Sequence, residues 1–173
     1  MKIIGIDPST VNTGIAVMNE KKEITVKLFS YHKKIIPKSF TKKKRKELRI
    51  EETKKAVDYM IVSILTVLQE EHPDQIIIED SFLGKDPWTM KMLSRIQGAV
   101  LSYALMNHIP ISFKNPNTWR MEIGIPLTNG NNKYKREELK TFAFDFIKQN
   151  FLLQNPVTED EAEAICIAYS GLL

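Results

Sequence analysis

Four acidic side chains in this sequence lie where two apolar strands end and where the last helix begins. Asp7 follows an apolar run at residues 3–6, and Glu79 follows a second run at residues 76–78. Nearly continuous β-branched runs are typical of strands buried on both faces, and Pro8 ends the first of them. If the two strands are parallel neighbours, the carboxylates of Asp7 and Glu79 lie about 5 Å apart across the ladder. Two like charges at that distance need a cation.

The other two carboxylates belong to the last predicted helix. Thr158 is its predicted N-cap, and Glu161, three residues later, completes a capping box. Asp160 and Glu163 are three residues apart and share one face of the first turns. Acidic residues also favour the positive end of a helix dipole, which is the ordinary explanation for them. This segment carries more of them than capping requires, and a helix packed closely on a sheet would bring Asp160 and Glu163 to the strand ends.

Together these four side chains form an all-oxygen ligand set. Hard oxygen ligands suit Mg²⁺ or Mn²⁺, whereas no cluster of His and Cys indicates zinc. Several carboxylates can support two metal ions about 3.5–4 Å apart, the arrangement used for in-line phosphoryl displacement. Combined with basic flanking sequence, the set predicts a nuclease.

Composition is that of a globular protein. The chain has 173 residues, of which 43% are hydrophobic and 27% charged, so one domain over residues 1–173 is expected. No apolar run approaches the roughly 20 residues that span a bilayer, and the N-terminus lacks a signal-peptide pattern, which predicts a cytoplasmic protein without membrane contact. Cys166, the single cysteine, lies in an apolar run and is predicted to be a small buried residue.

Positive charge is concentrated in one segment. Twelve of the 25 Lys and Arg residues fall between Lys27 and Lys55, against a net charge of only +4. Phosphate neutralisation supplies most non-specific affinity for nucleic acids, so this segment predicts a polyanion partner. A solvated helix face is the alternative.

The apolar periodicity predicts an α/β protein. Residues 2–32 read as a three-stranded antiparallel meander, followed by a long helix over 42–71, a strand over 75–79, a helix over 88–107 and a fifth strand at 110–113. A flexible loop over 124–132 then precedes an amphipathic helix over 133–149. The 88–107 helix is apolar over much of its circumference. That breadth predicts one face on the sheet and another on a partner, with Met92 pointing outward; a Met-rich core helix is the alternative.

The chain resembles the RuvC-type Holliday junction resolvases of the ribonuclease H-like superfamily, in a branch of bacteriophage type. The resemblance rests on residues 5–9 with Thr13 and Gly14, on residues 76–79 with Phe82, and on residues 160–168. It implies a ribonuclease H-like fold, with a five-stranded mixed sheet of an antiparallel meander plus parallel strands and with helices on both faces. It also implies a homodimeric endonuclease that nicks two strands of a four-way DNA junction.

By position, the resemblance implies that Asp7, Glu79 and Asp160 are catalytic metal ligands. Glu163 matches the fourth acidic position, where the family more usually has Asp, and receives the same role. The implied cofactor is Mg²⁺, with two ions per active site and with Mn²⁺ also supporting activity.

The resemblance also implies DNA contacts. Phe82 stands where relatives offer an aromatic ring to a base, although a core Phe is the alternative. Lys133 and Lys135 resemble the family's phosphate contacts. The basic segment adds candidates of its own, namely Lys42, Lys43, Lys44, Arg45 and Lys46.

Two other functions stay open at this level. The same superfamily contains ribonuclease H-like enzymes that process RNA, and these would use a similar carboxylate set. A non-catalytic module that binds branched DNA would keep the basic segment without needing four carboxylates.

Overall fold

A computed structural model of the chain describes residues 1–80, 86–153 and 155–173. The strands of its main sheet are β1 (Lys2–Asp7), β2 (Asn12–Asn19), β3 (Ile24–Ser30), β4 (Gln75–Glu79) and β5 (Ile111–Lys114). They lie in the order β3-β2-β1-β4-β5. The first three form an antiparallel meander, whereas β4 and β5 are parallel to β1. The predicted five-stranded mixed sheet is confirmed.

Within the described ranges, five helices cover the two faces of this sheet. They are α1 (Lys42–Glu71), α2 (Pro87–Met106), α3 (Pro116–Glu122), α4 (Arg136–Asn150) and α5 (Glu159–Tyr169). Because side chains alternate along a strand, β1 contributes to two separate cores. Ile3 lies in the core under α4 and α5, while Ile4 and Ile6 lie in the core under α1 and α2. Both faces are therefore buried, as the continuous apolar runs predict.

α5 packs unusually close to the sheet because two glycines face it. A Cβ added at Gly5 would lie 2.4 Å from the carbonyl oxygen of Ala164 and from the backbone nitrogen of Ala168. A Cβ added at Gly14 would lie 2.1 Å from the carbonyl oxygen of Asp160. No other amino acid fits at either position without moving the backbone of α5. The glycines therefore set how near the acidic start of α5 comes to the strands.

α1 has the bounds predicted from the sequence. Thr41 caps it through its side-chain oxygen, which accepts from the backbone nitrogen of Lys44. All of its buried residues lie from Glu52 onward, so the basic first turns project from the core.

α2 does not carry the outward apolar face around Met92 that its sequence suggests. Met92, Ile96 and Val100 are fully buried, because α2 packs on the sheet and on α1 at the same time. The prediction that Met92 points outward is wrong. The breadth of the apolar stripe reflects two contacts within this chain.

The segment between α3 and α4 is also more ordered than predicted. Within the predicted loop, β6 (Thr128–Asn129) and β7 (Asn132–Lys133) pair as a short antiparallel hairpin around Gly130, which has a φ of +58°. α4 begins at Arg136, three residues later than predicted.

The capping box of Thr158 and Glu161 is present at the start of α5, as predicted. Across the described residues, no helix is both long enough and apolar enough to cross a membrane.

We expect Gly5→Ala to destabilise the protein by about 1–3 kcal/mol, the usual cost of overpacking a core, because the added methyl group meets backbone that cannot rotate away. Gly98→Ala is the matched control. Gly98 lies on the exposed side of α2 with open space at its Cβ position, so this change should stabilise the helix by up to about 1 kcal/mol. Urea unfolding of both variants decides the point, and a Gly5→Ala variant as stable as the parent would contradict the close-contact interpretation.

Candidate active site

Two carboxylates extend from the carboxyl ends of neighbouring parallel strands. Ile6 of β1 pairs with Ile78 of β4, so Asp7 and Glu79, the next residues, are neighbours at the same edge of the sheet. Both carboxylates lie on the α5 face, because each is two residues beyond a residue that packs there, Gly5 and Ile77 respectively.

α5 brings the other two carboxylates to the same edge. Asp7 pairs with Gly14 across the β1–β2 ladder, and Gly14 is the residue against which the backbone of Asp160 packs. Glu163 lies one turn further along and is buried. The close contact at Gly14 thus aligns the first turn of α5 with the end of β1.

The four side chains line one cavity of about 340 Å³. Its wall is completed by backbone and side chains from the turn after β1 and from α2, α3 and α4. The lining residues are Asp7, Pro8, Ser9, Thr10, Glu79, Asp80, Thr89, Leu93, Pro116, Arg120, Arg136, Leu139, Asp160 and Glu163.

Within this cavity, Glu163 forms a buried ion pair with Arg120 of α3. Nη2 of Arg120 donates to Oε1 of Glu163, and both side chains are more than nine-tenths buried. The Nε group of Arg120 is also buried and has no hydrogen-bond partner among the described residues. A buried donor without an acceptor is costly.

Glu79 accepts a hydrogen bond from Trp119, the residue that precedes Arg120 in α3. The indole Nε1 of Trp119 donates to Oε2 of Glu79 at 3.0 Å, and Trp119 is fully buried. The guanidinium carbon of Arg120 lies 4.2 Å from the centroid of the Trp119 ring, a cation–π contact. Consecutive residues of α3 therefore contact carboxylates from two different elements, β4 and α5.

The surroundings of Asp160, the other carboxylate of α5 in the cavity, disfavour its ionised form. Burial raises the pKa of Asp160, and the negative charges of Glu163 and Glu159 raise it further, while the ammonium group of Lys140 opposes them. Lys140 is itself paired with Glu159. A cation placed in the cavity would favour ionised Asp160.

The donor chemistry fits a hard divalent cation, since every candidate ligand in the cavity is a carboxylate oxygen. The spacing is looser than a closed coordination sphere: among the described residues, no group of three or more His, Cys, Asp or Glu side chains could hold a metal ion as it stands. Oε1 of Glu163 is occupied by Arg120, which leaves Oε2 for another partner. Binding an ion therefore requires the carboxylate side chains to rotate inward.

The predicted DNA contacts lie at different distances from this cavity. Lys133 belongs to β7 and Lys135 is the N-cap of α4; their neighbour Arg136 lines the cavity, and the two lysines do not. The five basic residues from Lys42 to Lys46 form the first turn of α1. The four lysines are exposed, whereas Arg45 is partly buried and its Nε group is buried without a hydrogen-bond partner among the described residues. Phe82 lies outside the described residues.

Sequence reasoning left Trp119, Arg120 and Arg136 out of the site, and it also left out Asp80, which lines the cavity. The first two follow a recognisable helix start, in which Asn115 caps α3 and Pro116 occupies its first turn. That signal predicts the helix but not which side chains turn inward. Arg136 follows Lys133 and Lys135, and its sequence position does not distinguish it from these two predicted phosphate contacts.

Comparison with known proteins gives a consistent result. The family model described as "Crossover junction endodeoxyribonuclease RuvC" matches residues 3–170. The crossover junction endodeoxyribonuclease RuvC of Carboxydothermus hydrogenoformans is 27% identical over 174 residues, covering 100% of this chain and 96% of that protein. The RuvC of Dictyoglomus thermophilum is 22% identical over 171 residues, covering 98% and 96% of the two chains.

Solved structures show the same fold. RuvC of Thermus thermophilus in complex with Holliday junction substrate superposes with a TM-score of 0.63 at 17% identity, covering 98% of this chain and 91% of that one. The Fowlpox virus resolvase in complex with Holliday junction DNA superposes with a TM-score of 0.59 at 14% identity, covering 99% and 97%. Both are resolvases, and the ribonuclease H-like architecture implied by the sequence is confirmed.

Proposed function

This chain belongs to the RuvC family of crossover junction endodeoxyribonucleases, and we propose that it resolves four-way DNA junctions in the cytoplasm by paired, metal-dependent nicking. One observation supports this most strongly: carboxylates from β1, β4 and α5 line a single cavity. A module that only binds DNA has no need to collect like charges in this way. We propose that residues 1–173 act as one nuclease domain.

Asp7, Glu79, Asp160 and Glu163 would hold Mg²⁺, or Mn²⁺ in its place, with two ions per site. When bound, the ions supply an activated water and neutralise charge on the leaving oxygen of the phosphodiester. These carboxylates would hold the ions at the carboxyl ends of β1 and β4, beside the start of α5. Glu163 can contribute Oε2 while Arg120 keeps its bond to Oε1.

Two arginines at the cavity wall would bind the phosphate that is cut. Arg120 has a buried Nε without a partner among the described residues, and Arg136 lines the cavity from the first turn of α4. Both guanidinium groups are permanently charged donors that suit phosphate oxygens. They would hold the phosphodiester over the carboxylates and spread its developing negative charge.

Basic residues further out would bind the arms of the junction. Lys42, Lys43, Lys44, Arg45 and Lys46 occupy the projecting start of α1. Lys133 and Lys135 lie just before the start of α4 at Arg136. We assign these residues to phosphate contacts, which position the protein without reading sequence. The stacking of Phe82 on a base remains a prediction from the sequence.

The enzyme would act as a homodimer. Resolution requires nicks in two strands, and a two-fold dimer supplies two equivalent sites with the symmetry that the junction itself can adopt. Large apolar side chains are exposed on the α1–α2 side of the sheet, among them Val62 at 64% and Leu105 at 64%. These replace the face around Met92 as the proposed contact.

We expect Asp7→Asn to abolish cleavage and to leave junction binding intact, because the isosteric amide removes a metal-binding charge and no basic surface. Cleavage and gel-shift assays on one preparation measure both, with a four-way junction, linear duplex and RNA–DNA hybrid as substrates in Mg²⁺. The parent enzyme should cut the junction in preference to the other two. Nicking by Asp7→Asn at the parental rate would remove Asp7 from the metal site, and preference for the hybrid would favour a ribonuclease H-like activity.

Replacing Lys43, Lys44 and Lys46 by Ala should weaken binding equally on junctions of different sequence. Each lost phosphate contact lowers the slope of log affinity against log salt by about 0.9. A double replacement of Lys21 and Lys148 is the control. Both side chains are exposed. Lys21 follows the end of β2 that pairs with the start of β1, so it lies at the other end of that strand from Asp7. An unchanged slope in the triple variant would contradict the phosphate contacts and would favour the alternative, that the segment is a solvated helix face.

Val62→Glu should weaken dimerisation about 10-fold or more, because it introduces a charge into the proposed apolar contact. Leu152→Glu is the control, since Leu152 is fully exposed but follows α4 on the other face of the sheet. Sedimentation equilibrium, with circular dichroism to verify folding, compares the variants. Equal association of all three proteins would exclude this surface, and a monomeric parent at micromolar concentration, free and on junction DNA, would exclude the dimer.

A further inference from the structure

The two tryptophans of this chain occupy contrasting environments. Trp88, in the first turn of α2, is 37% exposed, whereas Trp119, in α3, is fully buried and is the largest of the fully buried side chains. A buried indole contributes apolar area to a core, and its N–H group requires an acceptor. The acceptor for Trp119 is a carboxylate oxygen of the candidate active site, Oε2 of Glu79, at 3.0 Å.

The surroundings of Trp119 hold its ring in place. The ring packs in the core formed with α4 and α5, and the guanidinium group of Arg120 lies over it at 4.2 Å. α3 itself is anchored from its far end, where Nζ of Lys114 bonds to Oε2 of Glu122 at 2.6 Å and to the carbonyl oxygen of Ser170 at 2.9 Å. A donor on a side chain this constrained fixes the position of the carboxylate that accepts from it.

We propose that Trp119 is a positioning residue that holds the Glu79 carboxylate in the orientation required for metal binding. A carboxylate such as Glu79, whose Oε2 accepts a hydrogen bond from a rigid donor, loses less rotational freedom when the ion binds. Hydrogen bonds of this kind to metal ligands typically change metal affinity 10–100-fold when they are removed. The inference rests on the proposed function, because it takes Glu79 as a metal ligand.

The pairing of Trp119 with Arg120 extends this effect to a second carboxylate. Arg120 binds Glu163 of α5 and at the same time covers the ring of Trp119. The same short helix therefore positions one carboxylate on β4 and another on α5. A purely structural role for Trp119 would leave metal affinity unchanged in any variant that folds without the N–H group, and this difference can be tested.

The test compares Trp119→Phe with Trp88→Phe, the same substitution at the other tryptophan. Binding of Mn²⁺ alone is measured by calorimetry, without DNA, and junction cleavage is measured against Mg²⁺ concentration. For Trp119→Phe we expect Mn²⁺ affinity to fall about 10-fold or more. Its cleavage should recover substantially at high Mg²⁺, and its KM for junction DNA should be unchanged. Trp88→Phe should bind Mn²⁺ as the parent does.

A second measurement leaves Trp119 in place, in case the phenylalanine variant does not fold. In Trp88→Phe, Trp119 is the only tryptophan, and its fluorescence should change saturably with Mg²⁺ over the range that supports cleavage. If the parent binds Mn²⁺ and cuts junctions, then either parental Mn²⁺ affinity in a folded Trp119→Phe or an unresponsive Trp119 emission overturns the inference. A parent that neither binds Mn²⁺ nor cuts any junction instead overturns the proposed function.

Discussion

The position of α5 against the sheet determines where the candidate active site can form. Backbone atoms of Asp160, Ala164 and Ala168 occupy the space that side chains at Gly5 and Gly14 would fill. With any other residue at these positions, a Cβ atom would meet the backbone of α5, and the helix would have to shift outward. Two of the four carboxylates would then move away from the strand ends. The missing Cβ atoms are thus as necessary to the site as the carboxylates.

Collecting carboxylates in a largely buried cavity has an electrostatic cost, and the chain meets it with fixed cations and donors. Arg120 pairs with Glu163, Trp119 donates to Glu79, and Lys140 opposes the burial that raises the pKa of Asp160. A buried ion pair contributes little net stability compared with apolar packing, but removal of one partner is strongly destabilising. The Arg120–Glu163 pair is therefore better understood as a device that holds a buried carboxylate, the proposed metal ligand of α5, in a fixed position. The same arginine has a buried Nε group without a hydrogen-bond partner among the described residues.

The sequence predicted the features that local patterns encode. Continuous isoleucine runs gave β1 and β4, the absence of Pro and Gly gave the full span of α1, and the capping box gave the start of α5. It failed where tertiary packing decides. The apolar stripe around Met92 is consistent with one exposed face or with two buried ones, and only the position of α1 distinguishes them. Trp119 and Arg120 likewise read as ordinary helix residues, because their partners lie about 40 residues away in the sequence.

The central claim is that the carboxylates of β1, β4 and α5 close around divalent cations. Anomalous diffraction from crystals grown with Mn²⁺ tests it most directly, because the manganese signal locates the ions independently of any assumed ligand. We expect two peaks about 3.5–4 Å apart in the cavity, with Asp7 and Glu79 coordinating and with Asp160 and Glu163 drawn inward from α5. Manganese bound elsewhere, or a cavity without anomalous signal at saturating Mn²⁺, would contradict it.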